Sequence, residues 1–374
     1  MNPEIDLQPP TPAEVDAVSL AVMSAIRVGD ATTEFQQLLM GAAFESLTGH
    51  SPDTARTDWV TPEDLAVTLA RRNEAYRSRI VQTMILGALV LRPLPVEVAD
   101  RVEAFAAALG VEDGMLSVAR GFASEQYGLA AVDFDRNGYT SDWDAEKAES
   151  LHADGLDDAW ATAADDPELA ARWKALADLP ESTLGHQIWR FYRARGFAFP
   201  GMPGSAPPLL AQHDWVHVIA DYGTRVESEL EVFAFIARAN DDPRGFSLLA
   251  MVVSLFETGN LERGAGLFEA FPGQLSRDGM AERLADGLRR GALCHGLDGE
   301  PDVDFMALDW FELVERDVEE LRAAFGIVPK SESALAAGSV GPWEAGGISE
   351  FQDGTGRAAA EADGRPYESY GAAV

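Results

Sequence analysis

Four residues in the stretch from Leu209 to Arg238 have types and spacing that could do chemistry. His213 and His217 are four apart, and the apolar positions Leu209, Leu210, Val216 and Ala220 recur around them at helical spacing, so the two rings share one helix face. Asp214 lies three residues before His217 and reaches the same patch. Glu229 follows after eleven intervening residues. One straight helix would carry it roughly 18 Å from His217, too far to share an ion, so the chain must turn. Gly223 suits a helix C-terminus, and Thr224 with Glu227 reads as a capping box that opens a second helix. On that helix Val226, Leu230, Phe233, Ile236 and Ala237 make the inner stripe, and Glu229 lies on it. A lone buried carboxylate is costly or becomes protonated. Two histidines and two carboxylates facing across a helical hairpin have a divalent cation as their common partner. The plainer reading is a buried ion network of carboxylates and imidazolium rings.

Other metal chemistries fit less of the pattern. The zincin signature H-E-x-x-H has the same histidine spacing with Glu as base; Asp214 is one methylene shorter, which alters the reach to a bound water. The H-D phosphohydrolases pair an adjacent His-Asp with an upstream His, for which His186 could serve; that scheme leaves His217 and Glu229 unexplained. His50, His152, His186 and His295 otherwise lack a ligand context.

The pattern H-D-x-x-H, eleven residues, then Glu resembles the metal signature of the zinc protein family of ubiquinone (coenzyme Q) biosynthesis. Flanking segments resemble it too: Leu179-Pro180-Glu181-Ser182-Thr183-Leu184-Gly185 with Phe191 upstream, and Arg289-Arg290-Gly291-Ala292, Ala307-Leu308-Asp309-Trp310 and Leu321 to Ile327 downstream. The resemblance covers residues 175 to 328. This chain departs from the family in a shorter, Gly- and Pro-rich segment between Phe191 and His213, in Leu210-Ala211-Gln212 before the first histidine, and in Ser228 where a Gly usually precedes the glutamate. The resemblance implies His213, Asp214, His217 and Glu229 as ligands of zinc; iron, manganese or cobalt also suit such a donor set. It implies work on a prenylated quinone precursor or another isoprenoid lipid, as an oxidative decarboxylase of the prenylated ring alongside other biosynthetic enzymes. A closed four-ligand tetrahedron leaves no place for substrate. Catalysis therefore asks one carboxylate, Asp214, to act as a base or move aside. The alternative is a non-enzymatic, metal-stabilised scaffold or lipid-binding module. A homodimer is compatible with either.

Composition sets the bounds. In 374 residues, 29 Lys and Arg stand against 62 Asp and Glu, for a formal charge of -33. That balance argues against nucleic acid and against electrostatic docking to anionic membrane. Apolar content of 47% suffices for substantial cores, and the length favours two domains. Cys294 is the single cysteine, which excludes an intramolecular disulfide and a Cys-rich zinc site. The N-terminus lacks a signal-peptide pattern and no apolar run is long enough to span a membrane, so a cytoplasmic protein is expected, with peripheral membrane contact through an apolar patch left open.

The elements that must position the site are helical throughout, and no alternating strand pattern is present. Residues 1–12 read as a loose arm. Residues 13–135 read as a first helical domain, with helices over Val15–Val28, Phe35–Leu47, from Thr61, over Arg79–Leu91 at the centre, over Val96–Leu109 and over Met115–Val132. Arg79–Phe122 resembles the helical domain of tellurite-resistance B-type proteins, though Leu91-Arg92-Pro93-Leu94-Pro95 carries none of that family's acidic metal positions. Asp133 to Asp144 imitates a calcium loop, with Thr140 at a position that wants an aliphatic residue and Asp144 where a bidentate Glu belongs; an Asx-rich turn is the preferred reading. Residues 136–170 read as an acidic linker. Residues 171–330 read as the metal-binding domain, with helices over Leu169–Ala177, Leu184–Arg195, the metal hairpin, Gly245–Phe256, Glu262–Phe271, Gly279–Leu293 and Asp309–Phe325. Arg190, Arg193 and Arg195 make a small basic island beside Trp189, Phe191 and Tyr192. Residues 331–374, rich in Gly and Ala, read as a disordered tail whose removal should leave stability intact.

Overall fold

The structure, a computed structural model, describes residues 9–91, 94–111, 165–203, 205, 208–240, 249, 278–297 and 299–373. The protein is all-α. The described residues form thirteen α-helices, short 3-10 turns and no strand. The helices expected over Met115–Val132 and Glu262–Phe271, nearly all of that over Gly245–Phe256, and the calcium-like stretch at 133–144 lie outside the described residues. None of the described helices is long and apolar enough to cross a membrane. The chain divides into two compact units, one holding α1–α5 and the other α6–α13.

In the first unit, α1 (Pro12–Ile26), α2 (Glu34–Thr48), α3 (Pro62–Thr68), α4 (Glu74–Leu89) and α5 (Val96–Leu109) form a small bundle. The helix at its centre is α1, which packs against each of the other four. Every residue from Val18 to Ile26 is buried, as expected of a helix apolar all round. The Arg79–Leu91 helix, expected at the centre, is a neighbour of α1, α2 and α5. Local signals did set the helix ends. Thr61 caps α3 by accepting from the Asp64 N–H, with Pro62 at the first position, and Gly110 ends α5 in the left-handed conformation at φ 64°.

The second unit holds α6 (Pro167–Ala175), α7 (Leu184–Arg195), α8 (Pro208–Ala220), α9 (Val226–Ala239), α10 (Met280–Ala292), α11 (Val318–Ala324), α12 (Glu332–Ala336) and α13 (Glu350–Ala362). Its most extensive helix pair is α9 with α10. On α10 the glycines at 287 and 291 let the two backbones approach: a Cβ at Gly287 would stand 2.9 Å from the Glu231 carbonyl oxygen, and one at Gly291 would collide with the Phe235 carbonyl oxygen. Gly291→Ala is therefore expected to cost about 1–3 kcal/mol by forcing the pair apart, read as a lower denaturant midpoint; an unchanged midpoint would show that α9 and α10 are not so closely seated. Beside α8 and α9 runs a column of rings. Trp173 meets Trp215 at 5.0 Å, Trp215 stacks on Trp310 at 6.0 Å, and Phe305 stacks on Trp310 at 6.0 Å and on Phe235 at 5.4 Å.

Three expectations are corrected here. The single helix expected over Asp309–Phe325 is a 3-10 turn at Trp310–Glu312 followed by α11. Backbone groups between them bond elsewhere: the N–H groups of Leu184 and Gly185 donate to the carbonyls of Arg316 and Val314, and Val318 donates to Ser182. Asp317 then caps α11. The Thr224–Glu227 capping box is absent. Arg225 is the N-cap of α9 and makes no side-chain cap bond, while the Thr224 hydroxyl is used against the C-terminal segment.

The third correction concerns the tail expected from residue 331, which is folded over residues 331–373. Ser331 caps α12, and α13 begins with a reciprocal capping box between Ser349 and Gln352. Ile348 and Ala372 form a buried cluster with Ala194 of α7, and Trp343 and Tyr370 pack on it. The guanidinium of Arg190 lies 3.8 Å from the Tyr370 ring centroid and 4.8 Å from that of Trp343. This is what the basic island is for: Arg190 and Arg195 hold aromatic and backbone groups of the C-terminal segment. The glycine content that suggested disorder is partly steric. A Cβ at Gly356 would collide with the Ala194 carbonyl oxygen, so α13 can lie on α7 only with glycine there.

Candidate metal centre

Helices α8 and α9 form the hairpin that the spacing required, joined by the turn at 221–225. Asp221 takes the left-handed conformation at φ 63°, and the Tyr222 N–H closes the helix end on the His217 carbonyl at 2.9 Å. The turn folds α9 back so that Glu229, in its first turn, faces the histidines. His213, Asp214, His217 and Glu229 are all buried, at 5%, 6%, 0% and 1% exposure. Among the described residues, His213, Asp214 and His217 form a group whose ligating atoms lie within 4.8 Å of one another. Glu229 joins them through both rings. Its Oε2 is 3.1 Å from His217 Nε2 and 3.4 Å from His213 Nε2, while Asp214 Oδ1 is 3.5 Å from His213 Nε2.

Those separations bear on the occupant. Donors placed about 2.0–2.2 Å from a tetrahedral ion stand roughly 3.3–3.6 Å apart. Charge-assisted N–H···O bonds are shorter, about 2.7–2.9 Å. The separations of 3.4 and 3.5 Å match such edges, while the 3.1 Å contact of His217 with Glu229 is a hydrogen bond, and Glu229 lies outside the group formed by His213, Asp214 and His217. A second observation agrees: Glu229 Oε1 is buried and has no hydrogen-bond partner. The donor set of two imidazoles and two carboxylates fits zinc and its first-row neighbours.

The surroundings hold the donors in register. His217 Nδ1 lies 2.7 Å from the Gly223 carbonyl oxygen, the bond by which ligating histidines are commonly oriented, leaving Nε2 for the ion. The Tyr192 hydroxyl donates to Asp214 Oδ2 at 2.5 Å. Phe191 packs on the His217 ring at 5.6 Å and Phe233 stacks on the His213 ring at 5.2 Å. Tyr192, Phe191 and the Gly223 carbonyl were not among the sequence-level site residues. The helical spacing of Phe191, Tyr192 and Arg195 toward one face was the only available signal.

The electrostatics separate the two carboxylates. Burial alone would raise the Glu229 carboxyl, but the charge of His217 and the hydrogen bonding of both rings outweigh it and hold it at about 2. Asp214 goes the other way: burial raises it, Glu229 adds to that, and the opposing pull of His213, Tyr192 and His217 does not cancel the rise. Tyr192 is pushed well up by burial and by the Asp214 charge it faces. The same buried surroundings thus shift the two carboxylates in opposite directions, Glu229 down and Asp214 up. His186 is not part of the cluster. It lies on α7 with its ring 5.4 Å from Trp189, which removes the upstream ligand of the phosphohydrolase scheme. His50 pairs with Asp16 in the first unit at 3.0 Å.

No protein-family model matches the chain, and no curated protein matches it. Among solved structures, the chain is similar to a crystal structure from Nostoc punctiforme PCC 73102 of a protein described as a candidate ubiquinone biosynthesis protein. The identity is 21%, the match covers 68% of this chain and 98% of that one, and the TM-score is 0.29. At that TM-score the likeness assigns no residue and no activity here.

Proposed function

We propose that this chain binds one divalent transition-metal ion, zinc in the first instance, through His213, Asp214, His217 and Glu229, and that it serves isoprenoid-quinone or related prenyl-lipid metabolism. The observation that supports the metal most directly is the buried group of His213, Asp214 and His217, whose ligating atoms lie within 4.8 Å of one another. The pathway rests on the resemblance of H-D-x-x-H and the following Glu to the ubiquinone-biosynthesis zinc proteins. An ion held there supplies Lewis acidity toward a carboxylate or carbonyl oxygen of an aromatic acid. Glu229 and the two histidines are the constant ligands. Asp214, tethered by Tyr192, would move off the ion and give the ring carbon the proton that takes the place of the departing carbon dioxide.

A second reading has its own support. The four residues are at most 6% exposed, which leaves little open coordination for a substrate. In that reading the metal is structural and the protein is a scaffold or prenyl-lipid carrier. Lipid extracts of the purified protein, analysed by mass spectrometry, test the lipid assignment common to both, and a lipid-free preparation with a bound ion counts against it. Release of the ring carboxylate from a prenylated aromatic acid, present in wild type and absent in Asp214→Asn that still holds metal, would favour the enzyme.

Glu229→Gln separates a ligand from an ion-pair partner. It keeps size and shape and removes the charge. As a ligand substitution it is expected to weaken metal binding by at least about tenfold, so that added metal raises the melting temperature less than in wild type. Metal stabilisation as large as in wild type would remove Glu229 from the ligand set and leave His213, Asp214 and His217.

A further inference from the structure

The C-terminal segment reaches the metal hairpin from outside the stretch that carries the ligands. It holds the α8–α9 turn at Gly223 and Thr224. The Gly223 N–H donates to the Val340 carbonyl and the Thr224 N–H to the Gly347 carbonyl, both at 2.9 Å. The Thr224 hydroxyl lies 2.5 Å from Gln352 Oε1 and 3.2 Å from the Gly347 carbonyl, and Gln352 Nε2 donates back to the Thr224 carbonyl at 3.2 Å. The backbones touch as well: a Cβ at Gly223 would stand 2.8 Å from the Gly347 Cα. This is why glycine is needed at 223, which does not adopt a left-handed conformation.

Arg195 locks the same junction from the α7 side. It is fully buried. Its Nε donates to the Thr224 hydroxyl oxygen at 2.7 Å, Nη1 to the Phe191 carbonyl at 3.3 Å, and Nη2 to the Pro342 and Gly347 carbonyls at 3.1 and 3.0 Å. Burial pulls this guanidinium down to about 9, against the opposing fields of Asp214 and Glu229. A buried cation satisfied by neutral oxygens is a costly device, and here it ties α7, the turn and the C-terminal segment at one point.

From the turn, the Gly223 carbonyl faces the metal centre, bonded to His217 Nδ1. It belongs to the peptide between the two residues that the C-terminal segment holds. We propose that residues 339–352, with Arg195, are a positioning clamp for the metal centre, and that Gln352 and Thr224 set the aim of His217 through the Gly223 carbonyl. The inference rests on the metal reading above and extends it to a segment beyond residue 328, where the family resemblance ends. Because the clamp fixes a ligand's orientation, loosening it changes affinity and ligand field at the ion, which a merely stabilising tail would not do.

The test is zinc titration calorimetry on metal-free, full-length protein, with the visible spectrum of the cobalt-loaded form as a second readout. Gln352→Met removes both bonds to Thr224 at similar size, and Thr224→Val removes the hydroxyl at constant shape. Each is expected to weaken zinc binding about 10–100-fold and to alter the cobalt spectrum. Thr224→Ser restores the hydroxyl and is expected to restore affinity. Arg357→Ala, exposed on the same helix, should stay within about twofold of wild type. A folded Gln352→Met or Thr224→Val with wild-type affinity and spectrum overturns the clamp, as does Thr224→Ser as weak as Thr224→Val. Should Gln352→Met fail to fold, the two Thr224 variants decide. A wild-type protein that takes up no zinc overturns the metal reading and the clamp together; zinc uptake that is indifferent to these variants overturns the clamp alone.

Discussion

His217→Ala is expected to empty the centre. His217 is the proposed ligand whose two nitrogens both have partners, Nδ1 the Gly223 carbonyl and Nε2 the Glu229 carboxylate. Losing an outer hydrogen-bond partner of a metal ligand costs about 10–100-fold in affinity, and losing the ligand itself should cost more. Protein isolated without chelator should carry about one transition-metal ion per chain, and His217→Ala should carry none. The effect has a thermal counterpart. Free metal at a hundred times its dissociation constant stabilises the native state by about 2.7 kcal/mol. For a unit of this size that is a rise of roughly 5–10 °C in melting temperature, which the variant should lose. His213→Ala should behave in the same way. Metal-free wild-type protein that adding zinc does not stabilise would leave the four residues as a buried ion network. In that case Glu229, held at about 2, still has a sign to its pH dependence. Its folded value lies below its unfolded one, so its contribution is full above the ordinary carboxylate range and fades as the pH falls toward 2.

Truncation after Lys330 is expected to destabilise the second unit sharply. The deleted residues include the buried Ile348 and Ala372 with Trp343 and Tyr370 against them. They also include the acceptors and donors that hold Arg195, Gly223 and Thr224. Burying one large aliphatic or aromatic side chain stabilises by about 1.5–3 kcal/mol, so the loss is on the order of 3–5 kcal/mol once the ordering of the segment is set against it. The melting temperature should fall by about 10 °C. A truncated protein that melts with wild type would mean that the segment sits on the domain without supporting it.

These two experiments probe the parts of the molecule that stood at opposite ends of legibility. His213, Asp214 and His217 could be read directly, because four-residue spacing on a helix puts side chains on one face whatever the rest of the chain does. Glu229 could be read because a buried carboxylate at a fixed distance past a turn needs a partner. Helix ends were legible where the signal is local, as at Thr61-Pro62 and Gly110. The Asp309–Phe325 stretch was misread because its helical periodicity competes with backbone bonds to residues 182–185, which no local pattern reports.

The sequence by itself determined the all-α class, the hairpin and the identity of the four candidate ligands, since each follows from short-range periodicity; the turn chemistry read at Gly223 and Thr224 did not hold, the left-handed residue being Asp221 and the N-cap Arg225. Only the tertiary structure decided that Asp214 is tethered by Tyr192, that α1 rather than α4 is central to its bundle, and that residues 331–373 are folded. The physical reason is the same in each case. Tyr192 and Asp214 are 22 residues apart, and Thr224 and Gln352 are 128 apart. Contacts at such separations leave no periodic trace. A glycine selected because a neighbouring backbone lies against it is indistinguishable, in composition, from one that keeps a chain loose.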